Sequence, residues 1–477
     1  MSPAEYNHYT HNGYIIVQSF LHTNYFSDHF PLCFDFCPLF VSSPNRASNP
    51  PTMPGKTTTS PRITKFTNCR IVRGSSLVEQ DLWIDSLSGK ILKDQEAFYE
   101  LHLSPDEIID LGGRILAPGL IDVQLNGAHG FDFSVPCETK QEYDEGLRMV
   151  NHGLARTGVT SYLPTVVSSL PEVYWKVLPS LGPSGATHLA QDGAESLGAH
   201  VEGPFISPGR NGIHKTEVLR EAQTFEDLVH CYGAENMGAE CPIKMITAAP
   251  EVGNMMAQIP EIAKRNIIYS IGHSDATYEQ AVSATQQGAS MITHLFNAMR
   301  PFYHRNPGVF GLLGRSERRR PYYGVIADGI HLHPTSIKIA YNAHPEGLVL
   351  VTDAMRLCGL PDGIYEWTNG ERIVKTGARL TLEGSDKIAG SSATLIECVN
   401  NFRRWSGAST VDAINAVTAT PARLLGVEGV KGSLESGADA DLVVLGEKED
   451  PYSGSTLTVD QVWKFGVKIH DTDKVTV

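Results

Sequence analysis

Three side chains in the central part of the sequence have the types that hold a catalytic metal ion. Glu202 lies in HVEGPF, His273 in IGHSDAT and His294 in THLFNAM. Two imidazoles and one carboxylate can bind a zinc ion and leave a fourth position for water. Each residue alone also has a structural interpretation, because a histidine at a strand end is often only hydrogen-bonded and a lone acid can cap the following helix. Their joint occurrence favours the metal site.

A fourth residue, Asp353 in LVTDAM, could supply the proton transfer that amide hydrolysis needs. A divalent metal ion lowers the pKa of its bound water to about 7. A carboxylate beside that water can accept its proton and deliver it to the departing amine nitrogen. We therefore predict that Asp353 is the general acid/base. The alternative is a purely structural aspartate after the last strand.

These residues need a scaffold that brings distant segments together, and the sequence predicts a (β/α)₈ TIM barrel. Helical stretches such as KQEYDEGLRMVNHGLARTG and DATYEQAVSATQQGA separate most of the short apolar runs. Strands that alternate with helices indicate a parallel sheet, and a count of eight favours a closed barrel over a doubly wound sheet. The eight runs span residues 120–127, 159–167, 197–205, 243–251, 267–274, 290–298, 322–331 and 347–355.

Polar residues recur toward the C-terminal ends of these runs, where barrel enzymes place their active sites. Strands that are buried on both faces should be almost entirely apolar, so ionisable groups repeated at one end need an explanation. Because the strand ends of a barrel meet at one mouth, we expect these side chains to lie together. They are Gln124, Asn126, Glu202, His273, His294, Asp328, His331 and Asp353.

The two flanks of the predicted barrel have a different pattern. Short β-rich runs precede it, and ERIVKTGARLTLEG and KGSLESGADADLVVLG follow it. We predict that residues 63–116 and 370–477 form one small discontinuous β-sandwich domain, with C-terminal helices that pack on the barrel. Residues 117–369 are the predicted catalytic barrel. Residues 1–62 show no sustained period, and we expect them to be a disordered extension.

Composition restricts the class of function. The chain has 477 residues, with 53 acidic and 39 basic side chains and a formal net charge of −14. This acidic balance argues against nucleic-acid binding, which depends on Lys and Arg that neutralise phosphates. No apolar run approaches the roughly 18 residues of a membrane helix. The eight cysteines are scattered without a CxxC pair, which favours reduced thiols and a cytoplasmic location.

The motifs together resemble those of a known family. APGLIDVQLNG, HVEGPFISPGRNGIH, IGHSDAT, THLFNAM, VIADGIH, LVTDAM and IAGSSATL are similar, in the same order, to segments of the N-acetylglucosamine-6-phosphate deacetylases of the amidohydrolase superfamily. The likeness runs from about residue 63 to the C-terminus. The resemblance implies hydrolysis of the acetamide of N-acetylglucosamine 6-phosphate to glucosamine 6-phosphate and acetate.

The resemblance also implies a role for each matching residue. It assigns Glu202, His273 and His294 to one divalent metal ion, with zinc expected and iron(II) or cobalt(II) as alternatives, and Asp353 to general acid/base catalysis. Family members are commonly homodimers, so a homodimer is expected here. The implied substrate contacts are Ile213, His214, Asn297, Ala298, Arg305, Asp328, Gly329, Ile330, His331, Ile388, Ala389 and Gly390.

One departure from the wider superfamily bears on the number of metal ions. Many amidohydrolases carry His-x-His at the end of the first strand, where this chain has Gln124 and Asn126. Because amides are poor ligands for such a dication, a single metal ion is expected. The alternatives are an amidohydrolase acting on a cyclic amide or nucleobase, which usually needs that histidine pair, and a non-catalytic barrel, which the presence of all four catalytic candidates disfavours.

Overall fold

The computed structural model describes residues 62–316, 320–367, 370–450 and 454–472. The predicted N-terminal extension therefore lies, apart from Arg62, outside the described residues. Within residues 62–118, seven strands precede the barrel, and a single turn of π-helix separates the fifth from the sixth. The strands are β1 (Ile63–Thr67), β2 (Arg70–Arg73), β3 (Ser76–Glu79), β4 (Leu82–Asp85), β5 (Lys90–Leu92), β6 (Glu107–Asp110) and β7 (Ile115–Pro118).

The barrel follows directly. Its segment contains strands β8 (Leu120–Leu125), β9 (Gly127–Ala128), β10 (Phe131–Asp132), β11 (Val159–Val167), β12 (Glu195–Ser196), β13 (Ala199–Glu202), β14 (Ile243–Ala248), β15 (Ile268–Ile271), β16 (Met291–Ile292), β17 (Tyr322–Ile326) and β18 (Leu348–Val351). Eight of them, β8, β11 and β13 to β18, pair in parallel in chain order. A parallel bridge from Leu125 to Ala354 joins the last strand to the first. The predicted TIM barrel is confirmed, with one strand in each of the eight predicted runs.

Helices surround the barrel between its strands. They are α1 (Lys140–Ala155), α2 (Pro171–Leu181), α3 (Phe225–Tyr232), α4 (Met255–Lys264), α5 (Tyr278–Gln287) and α6 (Pro334–Ala343). The two helices predicted from the sequence, α1 and α5, each begin with a capping box. The side chain of Thr139 or Thr277 accepts a hydrogen bond from the backbone N–H of the third helical residue, which stabilises the first turn. Between β16 and β17, the helical element in the described residues is the 3₁₀ helix Gly308–Gly314.

After the barrel, strands from both flanks form one sheet. The remaining elements are β19 (Gly363–Glu366), β20 (Arg372–Thr376), β21 (Arg379–Leu382), β22 (Ile388–Ser391), α7 (Leu395–Ser406), α8 (Thr410–Asn415), α9 (Ala419–Leu425), β23 (Leu442–Asp450), β24 (Gly454–Lys464) and β25 (Val467–Asp471). Strands β23 to β25 join β7, β2 and β3 in a six-stranded sheet, whereas β19 to β22 form a separate four-stranded sheet. Among the described residues, no helix is long and apolar enough to cross a membrane.

A buried charge network connects the six-stranded sheet to the barrel. Nζ of Lys464, a fully buried side chain, donates to Asp441 Oδ2 (2.7 Å), Glu195 Oε1 (2.5 Å) and the Thr160 carbonyl oxygen (3.1 Å). Lys431 Nζ lies 2.8 Å from the same oxygen of Asp441. Burial alone would raise the pKa of Asp441, but the two ammonium groups outweigh it and lower that pKa to about 2. The network therefore holds an ionised carboxylate inside the protein.

Candidate active site

The predicted metal ligands converge at the mouth of the barrel. Glu202 is the last residue of β13, while His273 and His294 each follow the end of a strand by two residues. Glu202 Oε1 lies 3.1 Å from His294 Nε2 and 3.4 Å from His273 Nε2, and the two imidazole nitrogens are 3.1 Å apart. Three residues separated by up to 92 positions thus place their ligand atoms in one small triangle.

This triangle fits a tetrahedral metal ion. Ligand atoms about 2.0–2.1 Å from a zinc ion, at tetrahedral angles, lie about 3.3 Å from one another. The three separations measured above match that value within 0.2 Å. Burial would raise the pKa of Glu202, but hydrogen bonding and charge from His273 and His294 hold it well below its usual value, so the carboxylate remains ionised.

A backbone carbonyl group fixes the tautomer of His273. Its Nδ1 lies 2.8 Å from the carbonyl oxygen of Arg210, which can only accept, so Nδ1 carries the proton. In the neutral ring, Nε2 then presents its lone pair to the triangle. Such an outer hydrogen bond orients a metal-binding imidazole and raises its basicity.

The backbone at these strand ends adopts an uncommon conformation. His273, His294 and Asp353 have φ values of +49°, +28° and +46°, in or near the left-handed region. Among residues other than glycine, Asn, Asp and His are the ones enriched there. The residue types at the mouth of the barrel therefore suit both the chemistry and the turn that each strand makes as it ends.

Asp353 is held beside the triangle by two amides. Asn126 Nδ2 donates to its Oδ1 at 2.7 Å, and Gln124 Nε2 donates to the same oxygen at 3.2 Å. Gln124 Nε2 also donates to Glu202 Oε1 at 2.9 Å. Burial and the charge of Glu202 raise the pKa of Asp353 to about 6. The side chains that replace the His-x-His pair thus serve as hydrogen-bond donors to both acids.

His214 lies near the triangle but is bonded differently. Its Nε2 is 3.8 Å from Glu202 Oε2, close enough for a metal-binding group of Glu202, His214 and His273. However, the backbone N–H of Ser168 donates to His214 Nδ1 (3.2 Å), so this nitrogen carries no proton in the neutral ring and Nε2 carries one. Burial lowers the pKa of His214 to about 3. His214 is therefore a neutral donor rather than a ligand.

A cavity of about 230 Å³ opens in front of these groups. Seven of the predicted substrate contacts line it: Ile213, His214, Asn297, Ala298, His331, Ile388 and Gly390. Asn297 Nδ2 is buried without a hydrogen-bond partner in the described part of the chain, which leaves a donor for a ligand. The cavity also has lining residues that the sequence analysis did not assign to the site, Val167, Gly212 and Met355. They are apolar or glycine, so only their proximity to predicted residues along the chain could have indicated them.

The other predicted contacts lie outside the cavity lining, and Asp328 supports it from behind. Its Oδ2 lies 2.7 Å from His331 Nδ1, and its Oδ1 accepts the N–H groups of Ile330 and His331. Burial would lower the pKa of His331, but the hydrogen bond and charge of Asp328 raise it. Arg305 is exposed in the segment after His294. Ile330 and Ala389 are adjacent in sequence to residues that line the cavity, and Gly329 lies two positions before His331.

Known proteins with similar sequences and structures agree on one family. The amidohydrolase family matches residues 115–469. N-acetylglucosamine-6-phosphate deacetylase of Danio rerio is 44% identical over 391 residues, 80% of this chain and 93% of that protein. The human enzyme of the same name is 44% identical over 392 residues, 80% of this chain and 92% of that protein.

Solved structures extend the agreement to the fold. The deacetylase of that name from Pasteurella multocida superposes with a TM-score of 0.69 at 27% identity, covering 85% of this chain and 99% of its own. A mutant enzyme from Mycobacterium smegmatis, in complex with N-acetyl-D-glucosamine-6-phosphate, gives 0.68 at 26% identity, covering 86% of this chain and 100% of its own. The chain therefore belongs to the amidohydrolase family and, within it, to the N-acetylglucosamine-6-phosphate deacetylases.

Proposed function

We propose that the chain hydrolyses the acetamide of N-acetyl-D-glucosamine 6-phosphate to D-glucosamine 6-phosphate and acetate, with one divalent metal ion held by Glu202, His273 and His294. The observation that carries the proposal is the triangle of three ligand atoms 3.1–3.4 Å apart, with a carboxylate of raised pKa beside it in one cavity. When bound, the metal ion would supply Lewis-acid polarisation and a water molecule of lowered pKa.

Asp353 moves the proton in this proposal. Its carboxylate accepts a proton from the attacking water as the new C–O bond forms at the acetyl carbon. It then delivers that proton to the amide nitrogen as the C–N bond breaks, which releases the amine and acetate. Asn126 and Gln124 hold Oδ1 and fix the orientation of the carboxylate.

His214 stabilises the charge that develops on the carbonyl oxygen. The Ser168 contacts leave a proton on Nε2, so the neutral ring can donate to that oxygen. A donor placed before the reaction costs no reorganisation when the oxyanion forms. Because His214 is buried and neutral, it adds a hydrogen bond without placing a second positive charge against the metal ion.

The phosphorylated end of the sugar is assigned to further residues of the same cavity. His331, whose pKa Asp328 raises against the effect of burial, offers an imidazole donor, and Asn297 Nδ2 offers a buried amide donor. Arg305 is the guanidinium proposed for the phosphate, since a guanidinium can bind phosphate through two charge-assisted hydrogen bonds. Its exposed position is compatible with contact to a ligand that projects from the mouth.

We further propose zinc as the native metal, a homodimer as the assembly and the cytoplasm as the location. Imidazole and carboxylate ligands suit zinc, although iron(II) and cobalt(II) accept the same set. Gln124 and Asn126 support one metal ion per chain, because their amides replace the histidine pair and donate N–H groups to Glu202 and Asp353 instead of offering imidazole ligands. Six cysteines among the described residues are free, which agrees with a reducing compartment.

An acetate-release assay tests the reaction. Purified protein of known metal content should release acetate from N-acetylglucosamine 6-phosphate and far more slowly from the unphosphorylated sugar, and it should not open the ring of a cyclic amide such as dihydrouracil. His294→Ala removes one ligand and should lose both the metal ion and the activity, while the matched surface change His230→Ala on α3 should keep both. Turnover of the cyclic amide without acetate release from the sugar phosphate would contradict the proposal.

A further inference from the structure

Three loops at the mouth of the barrel carry most of the proposed site. The β13 loop (residues 203–224) contains Ile213 and His214, the β15 loop (residues 272–277) contains His273, and the β16 loop (residues 293–307) contains the other metal histidine, Asn297 and Ala298. Segments of this kind need fixed relative positions, because a displacement of about 1 Å at an active site can lower its rate by about 100-fold.

The carboxylate of Asp275 joins the three loops. It lies in the β15 loop, two residues after His273, and its Oδ1 accepts from Arg210 Nε (2.9 Å) and Nη2 (2.7 Å) of the β13 loop. Its Oδ2 accepts from Arg300 Nη2 (3.0 Å) of the β16 loop. Arg300 Nε also donates to the backbone carbonyl of Asp275 at 2.7 Å. One carboxylate is therefore shared by two guanidinium groups from two different loops.

The backbone of each arginine is hydrogen-bonded to the β15 loop, at or next to His273. The carbonyl oxygen of Arg210 is the acceptor that fixes the tautomer of His273, at 2.8 Å from Nδ1. Arg300 follows Ala298 by two residues, and its backbone N–H donates to the Ser274 carbonyl oxygen at 2.9 Å. Movement of either arginine would therefore be transmitted to a metal ligand or to the segment that binds the sugar phosphate.

Asp275 is itself anchored from a fourth loop. Glu251, which follows β14, accepts from the backbone N–H of Asp275 at 2.5 Å and from Ser274 Oγ at 2.8 Å. The shared carboxylate thus has a fixed backbone from which to hold both arginines.

Stability alone does not account for this arrangement. The side chains of Arg210, Asp275 and Arg300 are 31%, 41% and 35% exposed, and ion pairs with that exposure stabilise a fold by only about 0–1 kcal/mol. Three hydrogen bonds to one carboxylate from two loops instead fix geometry. The network touches no group that reacts, so its effect on catalysis must pass through the residues that it positions.

We propose that Asp275 is a positioning residue which, through Arg210 and Arg300, holds the β13 and β16 loops against the metal ligand His273. This inference rests on the proposed function for its catalytic consequence, but its effect on loop order and metal retention does not depend on the substrate. The conservative change Asp275→Asn removes the charge that both guanidinium groups share while keeping the size of the side chain.

The experiment compares Asp275→Asn with a matched control. Glu261→Gln also removes one carboxylate, 37% exposed, that contacts two cations, Lys264 and Arg265. Glu261 lies near the C-terminal end of α4, at the opposite face of the barrel from the active site, because barrel helices run antiparallel to the strands. Four quantities are measured for wild type and both variants: amide hydrogen exchange of residues 206–214 and 295–300, the rate of zinc release to a chelator, KM, and kcat.

Asp275→Asn should accelerate exchange in both loops, speed zinc release by about tenfold or more, as expected for loss of an outer-shell contact, and raise KM more than it lowers kcat. Asp275→Glu, which keeps the charge, should lie between Asn and wild type. Exchange and zinc release within twofold of Glu261→Gln would overturn the inference. If Asp275→Asn does not fold, Arg300→Gln tests the same contact from the β16 loop by the same criteria. Wild-type protein that releases no acetate would instead refute the proposed function, and the exchange and zinc measurements would still decide this inference.

Discussion

Replacing Asp353 with asparagine separates its part in proton transfer from its part in the fold. Asn keeps the size of the side chain, and its carbonyl oxygen can still accept from Asn126 and Gln124, as Oδ1 does now. The backbone of residue 353 has φ +46°, which Asn tolerates well among residues other than glycine. The substitution therefore removes the proton acceptor with little strain.

The expected loss follows from what the residue does. A positioned general acid/base contributes about 10²–10⁴ in rate, equivalent to about 3–5 kcal/mol of activation free energy. The substitution should not lower the free energy of unfolding of the metal-free protein. Burial and Glu202 raise the pKa of Asp353 to about 6, so its ionised form at pH 7 opposes folding in the metal-free protein. Metal-free Asp353→Asn should then be at least as stable as metal-free wild type.

Steady-state acetate release by the zinc-loaded proteins and thermal unfolding of the metal-free proteins test these two statements. We expect kcat to fall by at least about 100-fold, with zinc content preserved and the Tm of the metal-free variant no lower than that of metal-free wild type. A variant whose kcat stays within a few-fold of wild type would remove Asp353 from the mechanism. A variant that loses its zinc or unfolds at lower temperature would show that the residue supports the site structurally instead.

Two further changes address substrate recognition and stability. Arg305→Ala should lower kcat/KM for the 6-phosphate by about tenfold or more, or about 1.4 kcal/mol, and leave the unphosphorylated sugar unchanged; equal losses on both sugars would exclude a phosphate contact. Asp441→Asn leaves the buried Lys464 without that partner and should lower the free energy of unfolding in urea by about 3–5 kcal/mol, whereas the surface change Glu261→Gln should leave it nearly unchanged. Lys464 and Lys431 outweigh burial and hold the pKa of Asp441 at about 2. The stabilisation from ionised Asp441 is therefore complete above about pH 4 and disappears as the pH falls toward 2. The difference in the free energy of unfolding between wild type and Asp441→Asn should become smaller over that range. A gap that is independent of pH would refute this linkage.

The barrel and the convergence of the candidate metal ligands could be predicted from the sequence because both leave local signals. A buried parallel strand is a short apolar run, and a polar residue at its C-terminal end is conspicuous against that background. Glu202, His273 and His294 each stand at such a position, and the closure of the barrel brings them together. The domain boundaries and the roles of individual substrate contacts remain predictions.

The hydrogen bonds and ion pairs that hold the site residues in place had no comparable signal in the sequence. Ser168 and His214 are 46 residues apart, and Asp275 is 65 residues from Arg210, so no periodicity connects the partners. A charged residue in a loop is usually solvated, and its sequence context does not reveal which opposite charge it meets. The donors that Gln124 and Asn126 direct at the two acids likewise emerged only from the geometry, although the absence of a histidine pair was evident beforehand.

Titration of metal-free protein with zinc tests the central claim most directly. Acetate release from N-acetylglucosamine 6-phosphate should rise linearly with added zinc and reach its plateau at one equivalent per chain, because Glu202, His273 and His294 form the proposed ligand triangle and Gln124 and Asn126 take the place of a second histidine pair. A rise that continues to two equivalents would contradict the single-metal site, and activity that is independent of zinc would contradict metal-assisted hydrolysis altogether.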